Sequence, residues 1–192
     1  MTLTGRKASE SRERIVDAAS RALRRSGVRG VSVADIMKEA GLTHGGFYAH
    51  FPSRDALVSE ALVRAGSTSS DAIGDQMALL VKSGMSPFRA FIECYLSPDH
   101  VADSEHGCPL PAVCQEASRQ VAEVGEASRR VIHSLHKRVT SVLPKGVPRA
   151  SAWAIASTLI GAVQLSRALG ETPEGRAVLA STKNELLARY GA

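Results

Sequence analysis

The punctuation of the first 62 residues constrains the fold of this chain more than any other feature. Ile15, Ala18, Ala19, Ala22 and Leu23 recur at the helical period from about Ser9 to Arg25, and Gly27 and Gly30 mark that helix's end. Ser32-Val33-Ala34-Asp35 opens a short helix in the manner of a capping box, carrying Ile36, Met37 and Ala40 inward. Gly41 stops it, Leu42 turns inward, and Thr43 is an N-cap candidate for a third short helix holding Phe47, Tyr48 and His50. Pro52-Ser53 breaks the chain again before a fourth helix with Asp55 in its first turn and the stripe Leu57, Val58, Ala61 and Leu62. Two short helices joined by a tight glycine turn, with apolar residues fixing their crossing, make a helix-turn-helix.

Beyond Gly66 the tract Ser67–Ser70 reads as a helix boundary or hinge. Helical patterns follow at about 71–83 and 87–96, then a loop from Pro98 to Pro109. Further helices are expected over Leu110–Glu123, Glu126–Leu143, Ala150–Leu169 and Glu174–Tyr190. No alternating strand pattern and no internal repeat is present. The expected class is all-α: an N-terminal three-helix helix-turn-helix head and a C-terminal helical bundle for regulation and dimerisation. The expected boundaries are 1–52 for the head, 53–66 for a connecting helix and 67–192 for the ligand-binding and dimerisation domain.

Charge separates the same two regions. Met1–Arg64 carries 11 Lys/Arg against 7 Asp/Glu, whereas the rest carries 13 against 12. A basic segment joined to a near-neutral one suits a nucleic-acid-binding module with a second function attached, although an arginine-rich solvated surface has the same composition. Three scattered cysteines make no disulfide framework. The polar, basic stretch Met1–Arg14 resembles no secretory signal, and the apolar run Ala152–Leu165 is too short to span a bilayer. A cytoplasmic protein without membrane contact is expected. No catalytic motif emerges: Gly170-x4-Gly175-Arg176-Ala177 lacks the lysine and hydroxyl of a phosphate loop, so neither an enzyme nor a cofactor is expected.

A recognition helix beginning at Thr43 would present unpaired N–H groups and the positive dipole end to phosphate. Gly45 and Gly46 each cost a helix about 1 kcal/mol relative to alanine. Close backbone approach to DNA accounts for that cost, as would a merely lengthened surface turn.

The stretch Arg14–Leu62 resembles the DNA-binding domain of the TetR/AcrR family of transcriptional repressors. The resemblance rests on Ile15-Val16-Asp17-Ala18-Ala19, Gly27 with Gly30, Val31-Ser32-Val33-Ala34-Asp35-Ile36 and Glu39-Ala40-Gly41-Leu42-Thr43. It continues through Gly45-Gly46-Phe47-Tyr48-Ala49-His50-Phe51-Pro52-Ser53-Arg54-Asp55-Ala56-Leu57. Residues 107–120 also resemble a segment from one subset of the family's regulatory domains. Two departures are Arg54 in place of the usual lysine and Met37 where a small alanine is common.

The resemblance implies that Thr43, His44, Gly45 and Gly46 face the major groove of double-stranded DNA, with His44 reading base edges. Tyr48 and His50 would meet phosphate or thymine methyl, Arg54 a backbone phosphate, and Ser32 the flanking backbone, with Arg12 or Lys7 as further anchors. Phe47 and Phe51 belong to the core, and Lys38 to solvent.

One recognition helix reads few base pairs, so a homodimer on a palindromic operator is expected. The last two helices supply candidate interface residues in Trp153, Ile155, Leu159, Ile160, Val163, Val178, Leu179 and Leu186; internal core accounts for about half of such side chains. Candidates for a small-molecule effector pocket are Phe88, Phe91, Ile92, Tyr95, Leu110, Val113, Cys114, Ile132 and Trp153, which are also ordinary core residue types. The expected function is a ligand-responsive repressor released by an inducer. Cys94, His100, His106, Cys108 and Cys114 lack the close ligand pairs of a metal site, so no metal is expected. Cys108, following a flexible loop and placed at a helix N-terminus that lowers a thiol pKa, is the candidate redox or electrophile sensor in an alternative reading; the preferred reading makes Cys94 and Cys114 small core residues and Cys108 partly exposed. A non-specific architectural DNA binder is the other alternative, and it would carry basic residues along its whole length.

Overall fold

The computed structural model describes residues 3–191; Met1 and Thr2 of the expected head and Ala192 of the expected C-terminal domain lie outside the described residues. The order is α1 (Leu3–Ser26), α2 (Val33–Glu39), a 3-10 helix (His44–Ala49), α3 (Arg54–Lys82), α4 (Pro87–Tyr95), α5 (Pro98–Ala102), α6 (Leu110–Ala117), α7 (Ala122–Val142), α8 (Ser151–Leu169) and α9 (Pro173–Tyr190). The fold is all-α, with no strand among the described residues.

Serine starts four of these helices. Ser32, Ser53, Ser86 and Ser97 sit in extended backbone, and each hydroxyl accepts from the N–H three residues on, at Asp35, Ala56, Arg89 and His100. Thr172 does the same for α9 through Gly175. Gly41 sets the central turn: its φ of +69° lies in the left-handed region, its N–H donates to Lys38 and that of Leu42 donates to Met37. This pair of bonds is the Schellman pattern, which closes α2 and re-aims the chain within two residues.

Four expectations change. α1 begins well before Ser9, at Leu3. The hinge expected at Ser67–Ser70 does not form, and α3 runs unbroken to Lys82. Ser67 and Thr68 donate their hydroxyls to the carbonyl of Arg64, which a helix tolerates, and Leu57, Ala61, Ala65, Ser69, Ile73 and Met77 keep one continuous buried stripe. The loop from Pro98 contains α5. The helix expected to reach Glu123 stops at Ala117, and α7 starts at Ala122.

One apolar core joins head and body. The first part of α3 packs with α1, while its later part packs with α4 and α7; α8 and α9 pack on each other. Side chains also tie the head to the segment before and within α6. Arg25 pairs with Glu105, Arg24 donates to the Gly107 carbonyl, and Glu116 accepts from the N–H groups of Val28 and Arg29 at 3.2 Å each. A Cβ at Gly27 would lie 2.1 Å from Oε1 of Glu116, so only glycine admits this carboxylate at the end of α1.

Candidate nucleic-acid interface

Phe47 and Phe51 stack with centroids 5.8 Å apart, and both are buried with Met37 beneath the helix-turn-helix. With these anchors inside, Thr43, His44, Gly45 and Tyr48 face solvent, and Gly46 and His50 are half-buried. Tyr48 leaves 76% of its surface exposed, its ring meeting Phe47 only edge-on at 5.2 Å. A large amphipathic ring displayed in this way is suited to contact with another molecule.

The recognition segment, expected as a short helix, is a six-residue 3-10 helix. Thr43 has the extended backbone of an N-cap, but its side chain caps nothing. No atom lies within 4 Å of where a Gly45 Cβ would stand, so that glycine answers no packing demand inside the subunit.

Much of the head's positive charge is consumed internally. Arg12 pairs with Glu60 and lies 4.6 Å over the Phe51 ring, Arg21 and Arg25 share Glu39, and Arg64 pairs with Asp17. Burial opposes ionisation of Glu39, but the two guanidiniums win and hold its carboxyl below the ordinary range. Arg54, expected on phosphate, donates instead to the carbonyls of Val31 and Val28, bracing α3 against the entry to α2. Ser32 caps α2. Lys7, Arg14, Arg29 and Lys38 are exposed with no ion-pair partner among the described residues, and Arg14 stands beside Gly41.

In the body, a narrow cavity of about 30 Å³ lies between α3, α4 and α7. Of the expected pocket residues it gathers Phe91, Tyr95 and Leu110. Phe88, Ile92 and Val113 are core residues elsewhere, and Cys114 and Ile132 are partly buried away from it. Trp153 does not line this cavity: it is 45% exposed and stacks on His136 at 4.0 Å. Ser69, Ser70, Ile73, Val131, Leu135 and Arg138 also line the cavity, none of them expected. Ser69 and Ser70 were hidden by the supposed hinge; the four-residue spacing from Leu57 to Met77 was the signal for Ser69 and Ile73.

Cys108 is also corrected. It is buried, and burial pushes its thiol up despite Tyr95, Arg167 and Arg24 nearby. Cys94 is raised by burial as well, and Cys114 is pushed up to about 11. Burial therefore favours the neutral thiol at all three, which weighs against the sensor reading.

His100 fixes the same wall. Its Nδ1 lies 2.6 Å from the carbonyl of Tyr95 and therefore carries the proton, while Nε2 accepts from the Cys108 N–H at 3.0 Å. Burial lowers its pKa from 6.5, so the unfolded chain takes up a proton there before the folded one does. Stability from this residue is complete above about pH 6.5 and is lost as pH falls toward the lowered folded value. Thermal unfolding at pH 7.5 and 5.5 should show this loss, and His100→Gln should reduce it; an unchanged pH response in that variant would refute the assignment.

The expected dimer residues need regrouping. Ile155, Leu159 and Val163 are fully buried and Leu179 and Leu186 nearly so, all inside the subunit; Ile160 and Val178 are partly covered. What α8 turns outward is Trp153, Ala154, Ser157, Thr158, Leu165, Ala168 and Leu169, with Gly161 half-buried among them. The helix of 19 residues is long and apolar enough to cross a membrane, more than the shorter run suggested. Its other side is packed against α5, α6, α7 and α9.

A braced turn, a buried aromatic anchor and an outward recognition segment define a helix-turn-helix DNA-binding protein. The profile described as "Bacterial regulatory proteins, tetR family" matches residues 15–61. The chain is 28% identical over 136 residues, 69% of each sequence, to the HTH-type transcriptional regulator LmrA of Bacillus subtilis. It is 40% identical over 57 residues to the HTH-type transcriptional regulator AcrR of Shigella flexneri, covering 30% of this chain and 26% of that one. A TetR transcriptional regulator from Chloroflexus aurantiacus shares the fold with a TM-score of 0.78, at 24% identity, over 96% of this chain and 98% of the other. Residues 15–61 thus match the DNA-binding region of the tetR family of bacterial regulatory proteins, and the relatives that the chain resembles are transcriptional regulators.

Proposed function

We propose that this chain is a cytoplasmic repressor that binds a palindromic DNA site as a homodimer and is released by a small molecule entering the cavity between α3, α4 and α7. The observation that carries the DNA reading is the outward face Thr43–His50, with Tyr48 76% exposed above a buried Phe47 anchor. Thr43, His44, Gly45 and Gly46 enter the major groove, His44 reads a base edge, and Tyr48 and His50 contact phosphate or thymine methyl. Lys7, Arg14 and Lys38 supply phosphate contacts in place of Arg54, whose donors are engaged internally. The dimer reading is supported by the outward face of α8, which carries no charged residue from Ser151 to Ser166.

Gel-shift titration against fragments flanking the protein's own gene, with bulk DNA as competitor, tests this function. Tyr48→Ala should weaken the preferred site about tenfold, a loss of about 1.4 kcal/mol. His44→Ala should shrink the ratio of preferred to bulk binding by about 5- to 150-fold, the worth of about 1–3 kcal/mol for one good base contact. A parent protein with no preference over bulk DNA would instead be an architectural binder, and two variants indistinguishable from the parent would refute the positional assignment.

A further inference from the structure

The polar groups of the cavity between α3, α4 and α7 have a definite charge character. Ile73, Phe91 and Leu135 are among its apolar walls, and no aspartate or glutamate lines it. Tyr95 lines it from α4; its buried hydroxyl has no nitrogen or oxygen partner, only the weakly bonding Cys108 thiol beside it. A buried phenol rarely goes unpaired, because the lost hydration is not recovered. Arg138 lines it from α7, half-buried. One of its nitrogens donates to the Ser70 hydroxyl at 2.9 Å, and no carboxylate pairs with it among the described residues. The guanidinium therefore keeps donors available in a site that repels cations and contains no competing acid.

Resting on the reading of this cavity as the effector site, we infer that the effector is a small aromatic carboxylic acid carrying a second oxygen. Its carboxylate pairs with Arg138, its ring lies against Phe91, Ile73 and Leu135, and the second oxygen accepts from Tyr95. The cavity of about 30 Å³ is too small for such a molecule as it stands. Val131 of α7 lies against α3 at Gly66, where a Cβ would meet it at 2.9 Å, so entry must part α7 from α3. Helix α3 begins in the head at Arg54, which gives the acid a route to the DNA-binding face.

The test uses the purified full chain, isothermal titration and three compounds of one shape: 4-hydroxybenzoate, 4-hydroxybenzamide and 4-hydroxybenzylamine. The acid should bind at least tenfold more tightly than the amide, and the amine should not bind. Arg138→Gln should abolish the preference for acid over amide, and Arg138→Lys should retain most of it, so a structural defect in one variant does not decide the matter. Tyr95→Phe should erase the advantage of 4-hydroxybenzoate over benzoate. Equal or tighter binding of the amide or amine, an unchanged preference in Arg138→Gln, or binding by none of the compounds would overturn the inference. DNA binding is read separately by gel shift without any compound. Release from DNA by the neutral or cationic compound would overturn only the charge assignment and leave the repressor reading standing.

Discussion

Gly161→Arg should leave each subunit folded and reduce its affinity for the preferred DNA site by more than a hundredfold. No atom lies within 4 Å of the position a Cβ would take at Gly161, so the new side chain points out of the subunit and displaces nothing. Within α8, replacing glycine even gains helix propensity, up to about 1 kcal/mol. The surrounding outward face is small or apolar, with Ala154, Ser157, Thr158, Leu165 and Ala168 at helical spacing. In a twofold dimer through this face, each substitution occurs twice. Two guanidiniums would be brought close together where water is excluded, without carboxylates to pair them, at a cost of several kcal/mol. A stable dimer must bury at least about 1,200 Å² in total, which a charge at the centre of the seam prevents. The monomer then reads half a palindrome and loses the linked second contact. Light scattering should show a monomer with parental helicity by circular dichroism, and gel shift should show the affinity loss. A Gly161→Arg protein that stays dimeric at micromolar concentration would remove α8 from the interface.

What could be read in advance follows the range of the interactions concerned. The helix-turn-helix was legible because Gly41, Leu42 and the serine caps act on their immediate neighbours, and the sequence contains both partners within a few residues. Phe47 and Phe51 were legible as core for the same local reason, since they flank a turn and have one side to bury. The length of α3 was obscured because hydroxyl residues that favour turns can also bond back along a helix, as Ser67 and Thr68 do. Arg54 was misread because a basic residue at a helix start has the same appearance whether it meets phosphate or the carbonyls of Val28 and Val31. Cys108 and Trp153 depend on how distant segments close over them, which no local pattern records. The cavity is the extreme case: its lining comes from α3, α4, α7 and the approach to α6, and only the assembled helices bring Arg138 and Tyr95 to one space.

Arg24→Met should lower stability by about 2–3 kcal/mol, although it removes a costly buried charge. Arg24 and its neighbours Arg21 and Arg25 share an arginine-rich helix face in the sequence, yet Arg24 alone is almost fully buried, at 4% exposure. Burial lowers its pKa to about 10, a direct sign that the guanidinium would be better solvated in water. No carboxylate pairs with it among the described residues. Its compensation is geometric. Nε donates to the Gly107 carbonyl at 2.8 Å, one terminal nitrogen to the Ala65 carbonyl at 2.8 Å and to Thr68, and the other to Ser20 at 3.3 Å. These bonds join α1, α3 and the segment that leads into the cavity wall at Cys108. Methionine fills similar space but donates nothing, leaving the buried Gly107 carbonyl without that donor. Hydrogen bonds from a charged donor contribute about 1.5–3 kcal/mol each, so losing several outweighs the desolvation regained. For a domain of this size the melting temperature should fall by about 4–12 °C, compared at one protein concentration so that any self-association contributes equally. Amide exchange should quicken first around residues 103–109, where the tie to α1 is cut. A variant melting within 1 °C of the parent would mean that the guanidinium's hydrogen bonds do no more than offset its own burial.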